Sequence, residues 1–216
     1  EVPRFRSDLV VWWRQHGRAF PWRQRLPLWK ALLIEVMLQR TRADQVVAAF
    51  RSLNRRYRKA VDLNRMTRND ANRLFARLGL AWRAPLFLEL AHELGRRNGR
   101  IKRDTKELQG LPAVGPYTAA AAVSLHGGAR AVIIDSNTVR IVCRLAGIES
   151  GSETRRKRWV KDALEKLTPD SGFREFNYGL LDLGAMVCRP RNPECGVCPV
   201  SEHCVTGRAA ATAEGT

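Results

Sequence analysis

Four of the five cysteines crowd into one short stretch, Cys188-x6-Cys195-x2-Cys198-x5-Cys204, a spacing that asks for one metal centre with four thiolate ligands. A [4Fe–4S] cluster or a tetrahedral zinc would suit this donor set, although the intervals are not those of a common zinc finger, which pairs two short C-x2-4-C knuckles. Two disulfides would add little to a chain long enough to bury its own core. His203 lies inside the loop, but four thiolates already complete a site, so it reads as a surface residue. Cys143 falls on the apolar face of a helical segment and reads as an ordinary buried thiol.

Two carboxylates stand where apolar sequence would otherwise continue. Glu35 interrupts Ala31-Leu32-Leu33-Ile34-Glu35-Val36-Met37-Leu38. If that segment is a buried helix, burial raises the carboxyl pKa, which is what a proton donor requires; the plainer alternative is a glutamate on a helix surface. Asp135 follows Ala131-Val132-Ile133-Ile134 and opens the next helical segment. It reads either as a helix cap or as a carboxylate brought out of an apolar wall toward a ligand. Between the two lies Leu111-Pro112-Ala113-Val114-Gly115-Pro116-Tyr117-Thr118-Ala119. There Gly115 suits a tight turn and Pro116 suits the first helical position, leaving backbone N–H groups to hold a phosphate; an ordinary corner between two helices is the alternative.

The elements that must position these residues are helical. Apolar residues recur at helix spacing over Val10–Gln15, Trp29–Arg40, Ala43–Leu53, Asp70–Leu78, Ala84–Arg97, Pro116–His126, Asn137–Leu145, Arg156–Leu167 and Glu175–Met186. Strand alternation is almost absent, and Gly or Pro punctuates the short breaks. These features predict an all-α protein in which Trp12, Trp13, Trp22 and Trp29 are core residues. The small residues after Gly207 are expected to fray.

The chain carries 38 Lys and Arg against 21 Asp and Glu, a net charge of +17 over 216 residues, which points to a polyanionic partner and above all to nucleic acid. Any single basic run, such as Arg55, Arg56, Arg58 and Lys59, could be no more than a solvated face. No apolar run approaches the roughly 20 residues needed to span a bilayer. With the reduced thiols of a metal site, the expected location is the cytoplasm, nucleoid-associated if the source is prokaryotic.

Turn, Asp135 and four-cysteine loop, in that order, resemble the helix-hairpin-helix, Gly/Pro-rich, Asp-containing DNA glycosylases of the endonuclease III superfamily, from Phe20-Pro21-Trp22-Arg23 to Cys204. The resemblance implies a monomeric base-excision enzyme of two helical lobes. One is a six-helix barrel over 26–128 that ends in the hairpin; the other joins 1–25 to 129–208 and carries a structural [4Fe–4S] cluster on Cys188, Cys195, Cys198 and Cys204, with 209–216 as a flexible tail. It implies DNA contacts from Gln39, Arg40, Leu111, Val114, Gly115, Tyr117 and Thr118 of the first lobe and from Arg189 and Arg191 of the cluster loop. Gln39 would fill the gap left by the extruded base, and Leu80, Trp82 or Arg83 would probe the opposite strand. Ala113 replaces the commoner glycine of the hairpin, which should stiffen the turn.

Asp135, Glu35 and Tyr117 are the implied catalytic residues. Tyr117 stands where bifunctional relatives place a Schiff-base lysine, and a phenol cannot form that imine, so little strand cleavage is expected. Glu35-Val36-Met37-Leu38-Gln39-Arg40-Thr41 resembles both adenine and thymine-mismatch glycosylases. Arg40, Ala43 and Tyr178, the last in Phe176-Asn177-Tyr178-Gly179-Leu180-Leu181-Asp182, lean toward the thymine branch, whereas Leu183–Cys188 lean toward the adenine branch. Thymine or uracil opposite guanine is the expected target. Adenine opposite guanine or 8-oxoguanine is the alternative, and a catalytically silent damage-binding module is the non-enzymatic one.

Overall fold

A computed structural model describes residues 1–151 and 153–214. It contains eleven α-helices: α1 (Val2–His16), α2 (Leu28–Leu38), α3 (Ala43–Arg56), α4 (Arg68–Ala76), α5 (Ala84–Arg96), α6 (Thr105–Leu108), α7 (Pro116–Ala122), α8 (Ser136–Ala146), α9 (Arg158–Leu167), α10 (Phe173–Met186) and α11 (Val205–Glu214). No strand occurs among the described residues, and no helix among them is long and apolar enough to cross a membrane. The chain divides into two units, Ala19–Ala131 and Glu1–Arg18 with Val132–Thr216.

The first unit is built around α2. Every residue from Trp29 to Met37 is buried, so this helix is wrapped on all sides rather than amphipathic. Helices α3, α5 and α7 supply its neighbours, and Phe75 of α4 meets Phe87 of α5 at 4.9 Å between ring centres. Trp22 packs edge-on against Phe50. Beyond Ala122 the helix continues not as α but as a π turn over Val123–Gly127, and His126 at its end accepts the Leu26 N–H through Nδ1 at 3.2 Å.

The second unit packs α1, α8, α9 and α10 around Phe5, Leu9, Val160, Leu164, Phe176, Leu180 and Leu183. Two glycines set its close approaches. A Cβ at Gly179 would lie 3.0 Å from Leu9, and one at Gly184 would lie 2.6 Å from the Asn137 Cβ. Asp182, between them and fully buried, accepts hydrogen bonds from Trp13 Nε1 at 3.1 Å and from Arg18 Nε at 2.8 Å. The Gly179-Leu180-Leu181-Asp182 stretch thus holds α1 against α10.

Three segments differ from the sequence expectation. Helix α1 begins at Val2 rather than Val10, because Phe5 and Leu9 make an i,i+4 apolar pair that Arg4, Arg6 and Asp8 obscure. The π turn ends the helix of Pro116–His126 early. Residues 209–214, expected as flexible tail, extend α11, in keeping with the high helix propensity of their alanines; 215–216 lie outside the described residues.

In the turn between α6 and α7, the left-handed residue is Ala113, at φ 61°, whereas Gly115 sits at φ −89°, ψ 178°, which any residue adopts. The glycine-like position is therefore two residues earlier than expected, and an alanine occupies it under strain. Ala113→Gly should raise stability by about 0.5–1 kcal/mol, the steric relief being partly offset by the freer unfolded chain. Denaturant midpoints of the two proteins, at equal m, check this.

Candidate active site and metal centre

Glu35 lies in the last turns of α2, 3% exposed, with the rest of the buried helix around it. Burial drives its carboxyl pKa up to about 7. The charge of Arg23 and a hydrogen bond from the Tyr117 hydroxyl act the other way, favouring the ionised form, without overcoming the desolvation. Oε2 of Glu35 is buried with no hydrogen-bond partner among the described residues. The turn into α7 thus delivers Tyr117 to a carboxyl that shares its proton near neutrality. Arg23, not singled out in the sequence, was signalled only by its place in Phe20-Pro21-Trp22-Arg23.

The end of α2 is fastened to the same turn. Gln39 Nε2 donates to Thr118 Oγ1 at 2.7 Å and to the Ala113 carbonyl at 3.3 Å. Arg83 donates to the Gln39 carbonyl at 2.9 Å and to its side-chain oxygen. Gln39, expected to fill the gap left by an extruded base, is held at both ends of its amide. Arg83 is buried in that task, so of the three candidates for probing an opposite strand it is Trp82, 67% exposed, that stands out from the surface. Gln39, Trp82, Arg83, Leu86 and the 113–118 turn border a cavity of about 430 Å³. Leu111 and Val114 are buried beneath the turn, and apart from its own chain neighbours no described residue comes within 4 Å of where a Gly115 Cβ would be. Arg40 is exposed at φ 57°, and Ala43 begins α3, half-buried against the core.

Asp135, in the other unit, caps α8. Its Oδ1 accepts the Thr138 N–H at 2.8 Å, its own N–H donates to Thr138 Oγ1 at 3.0 Å, and Oδ2 accepts from Asn137 Nδ2 at 2.8 Å. Asn137 is held in turn by Arg140, whose Nη2 donates to Asn137 Oδ1 at 2.9 Å and to the Gly184 carbonyl at 2.7 Å. Arg140 Nη1 reaches the Ser136 carbonyl at 3.1 Å and Nε the Cys188 carbonyl at 2.8 Å. The sequence signal for this residue is an arginine interrupting the apolar Val139-Arg140-Ile141-Val142-Cys143.

Cys188, Cys195, Cys198 and Cys204 are all partly buried and none is in a disulfide. Arg144 ties the first ligand to the last: Nη1 donates to Cys188 Sγ at 3.3 Å, and the Arg144 carbonyl accepts from Cys204 Sγ at 3.2 Å. Burial, then the charges of the other three cysteines, push the Cys198 thiol up to about 11, so a cationic centre is what would ionise it. As placed, these side chains do not close tightly round a single ion, while four soft thiolates are the donors an iron–sulfur cube takes.

The neighbours of the loop correct one expectation. His203 is packed rather than surface-lying: Nε2 meets Asp8 Oδ2 at 2.9 Å and the ring lies edge-on to Phe5. Arg189 is engaged within the loop, 2.7 Å from Glu194 Oε1, while Arg191 is exposed. Tyr178, expected to bear on base choice, is 2% exposed and stacked on Trp13 at 5.8 Å with Arg174 over its face, the setting of a packing residue.

Residues 188–204 match the model of the iron–sulfur binding domain of endonuclease III. The chain is 32% identical over 202 residues to a thymine/uracil-DNA glycosylase of Methanothermobacter thermautotrophicus, covering 93% of this chain and 91% of that protein. It is 31% identical to the human adenine DNA glycosylase, over 94% of this chain but 39% of the human one. Among solved structures, a thermostable thymine-DNA glycosylase superposes with a TM-score of 0.85 at 30% identity, over 96% of this chain and 97% of the other. Endonuclease III in complex with DNA, at 21% identity and a TM-score of 0.77, shares the fold. The cysteine loop is accordingly an iron–sulfur site, holding a [4Fe–4S] cluster rather than zinc, and the chain belongs to the endonuclease III superfamily of DNA glycosylases.

Proposed function

We propose that this glycosylase excises thymine or uracil opposite guanine and leaves the abasic strand intact. The observation that carries the reading is Glu35, a buried carboxyl with a pKa of about 7 partnered by a tyrosine hydroxyl where a lyase would need an amine. The near-complete coverage of thymine/uracil-DNA glycosylases supports the choice of base. DNA backbone meets the turn at Gly115, where the missing Cβ leaves open space, and the target base leaves the stack to reach Glu35.

Cleavage of the glycosidic bond leaves positive charge on the sugar and negative charge on the departing base. Asp135, its carboxylate oriented by Thr138 and Asn137, is the group assigned to the first, stabilising the cationic sugar and orienting the attacking water. Protonated Glu35 serves the second by donating to the base. Cys188, Cys195, Cys198 and Cys204 would hold the [4Fe–4S] cluster, which when bound would serve as a structural cross-link between the segments after α10 and before α11.

A panel of duplexes with one T·G, U·G, A·G or A·8-oxoguanine pair should lose T and U opposite G, with strand breaks appearing only after alkali. Removal of adenine alone would transfer the chain to the adenine branch, and breaks without alkali would overturn the monofunctional reading.

Asp135→Asn keeps a good helix cap and should still bind these duplexes, yet turn over at least ~100-fold more slowly in single-turnover assays. Full activity of this variant would remove Asp135 from the mechanism.

Glu35 generates a pH signature in two measurements. If the protonated form acts, excision is level below pH 7 and falls about tenfold per unit above it, and Glu35→Gln abolishes that dependence while slowing the reaction by ~100-fold or more. A raised folded pKa also means stability is complete below the unfolded value near 4.5 and declines as pH rises to about 7. Glu35→Gln should therefore melt above the wild type at pH 8 and converge with it near pH 4.

A further inference from the structure

The first unit carries a second cationic site at the far end of α2 from the turn. Lys30 lies there on the first turn of α2, about 14 Å along the helix from Gln39 at 1.5 Å per residue. Arg51, Asn54 and Arg55 of α3, with Arg58 just beyond it, follow an i, i+3, i+4, i+7 pattern that presents one face. That face, with Lys30, Phe50, Pro21 and Gln24, borders a groove of about 490 Å³ in which no carboxylate takes part.

The arrangement does not serve the stability of α3. Arg51 and Arg55 are like charges one turn apart, which costs a helix rather than helping it. Neither they nor Arg58 make an ion pair among the described residues, although Arg56, on another face, pairs with Asp70 at 3.1 Å. Lys30 is 8% exposed, its Nζ donating to Asn54 Oδ1 at 2.6 Å and lying 5.0 Å from the Trp29 ring centre. Among the described residues this buried ammonium is answered only by a neutral amide and a π face, and burial lowers its pKa accordingly. Three exposed guanidiniums around such a group form a pre-set pocket for an oxyanion, and guanidinium forks match phosphate oxygens in geometry as well as charge.

We propose that the groove between α2 and α3 is a phosphate-binding site distinct from the 113–118 turn. Its ligand is a phosphate group, from the backbone of duplex DNA or from a free phosphate compound. The duplex source rests on the reading of the chain as a DNA glycosylase; the oxyanion chemistry does not.

The test compares wild type with the Arg51→Ser, Arg55→Ser double variant and with a charge-matched control, Arg96→Ser, Arg97→Ser, whose arginines pair with Glu93. One arm follows inorganic pyrophosphate by ³¹P line width; the other measures the salt dependence of binding to a fully matched 30-base-pair duplex, so that no base removal enters either readout. The expected result is loss of pyrophosphate broadening and, on DNA, a slope of log K against log salt smaller by about 1–2, with affinity at 50 mM salt reduced ~10-fold, in the groove variant only. A flattened duplex slope alone supports the site with DNA as its source, and loss of pyrophosphate alone supports it with a free phosphate compound as its source. Unchanged behaviour in both arms, or equal losses in the control, overturns it. A chain inactive on every mismatch but showing the groove effect would sink the base-excision reading and leave this one standing.

Discussion

Arg140 is the constraint on which the cluster-bearing unit rests. It is 9% exposed, and its donors go to the carbonyls of Ser136, Gly184 and Cys188 and to the side chain of Asn137, so a buried charge is offset at every edge of its plane. The distances are short because Gly184 has no side chain: a Cβ there would lie 2.6 Å from the Asn137 Cβ, so α10 comes close against α8. With one guanidinium, the chain fixes the first cysteine of the metal loop, the crossing of α8 over α10, and the asparagine that steers the Asp135 carboxylate. A lysine could satisfy one of these partners but not all.

Within the other unit the governing effect is desolvation. A carboxyl on a helix buried from Trp29 to Met37 has few ways to remain charged, and Arg23 and Tyr117 only moderate the penalty. Position and pKa then come from the same source: the apolar sequence that builds α2 also sets the proton affinity of its one acid. The tyrosine adds a hydrogen bond without adding a nucleophilic amine, which separates proton donation from covalent capture.

What could be read in the sequence was what depends on local spacing. The cysteine intervals lie within one loop, and Glu35 is conspicuous against its apolar neighbours, so both were legible without the fold. Contacts across long separations were not. Arg83 reaches Gln39 over 44 residues and Gln39 reaches Thr118 over 79, and neither helix shows a periodicity that reports it. Tyr178 belongs to a motif whose glycine and aspartate pack α10 against α1, and its burial against Trp13, 165 residues away in the sequence, has no local signal. His203 looked free because its partner, Asp8, lies at the opposite end of the chain.

Gly115 illustrates a kind of residue that folding experiments are blind to. Its backbone angles are ordinary and the space above it is empty, so a serine or alanine there would meet nothing in the unliganded protein. The cost of a side chain arises only when another molecule must occupy that space. A variant collection ranked by melting temperature or expression yield would pass such a substitution as benign, and its harm would surface only in assays that include the nucleic acid.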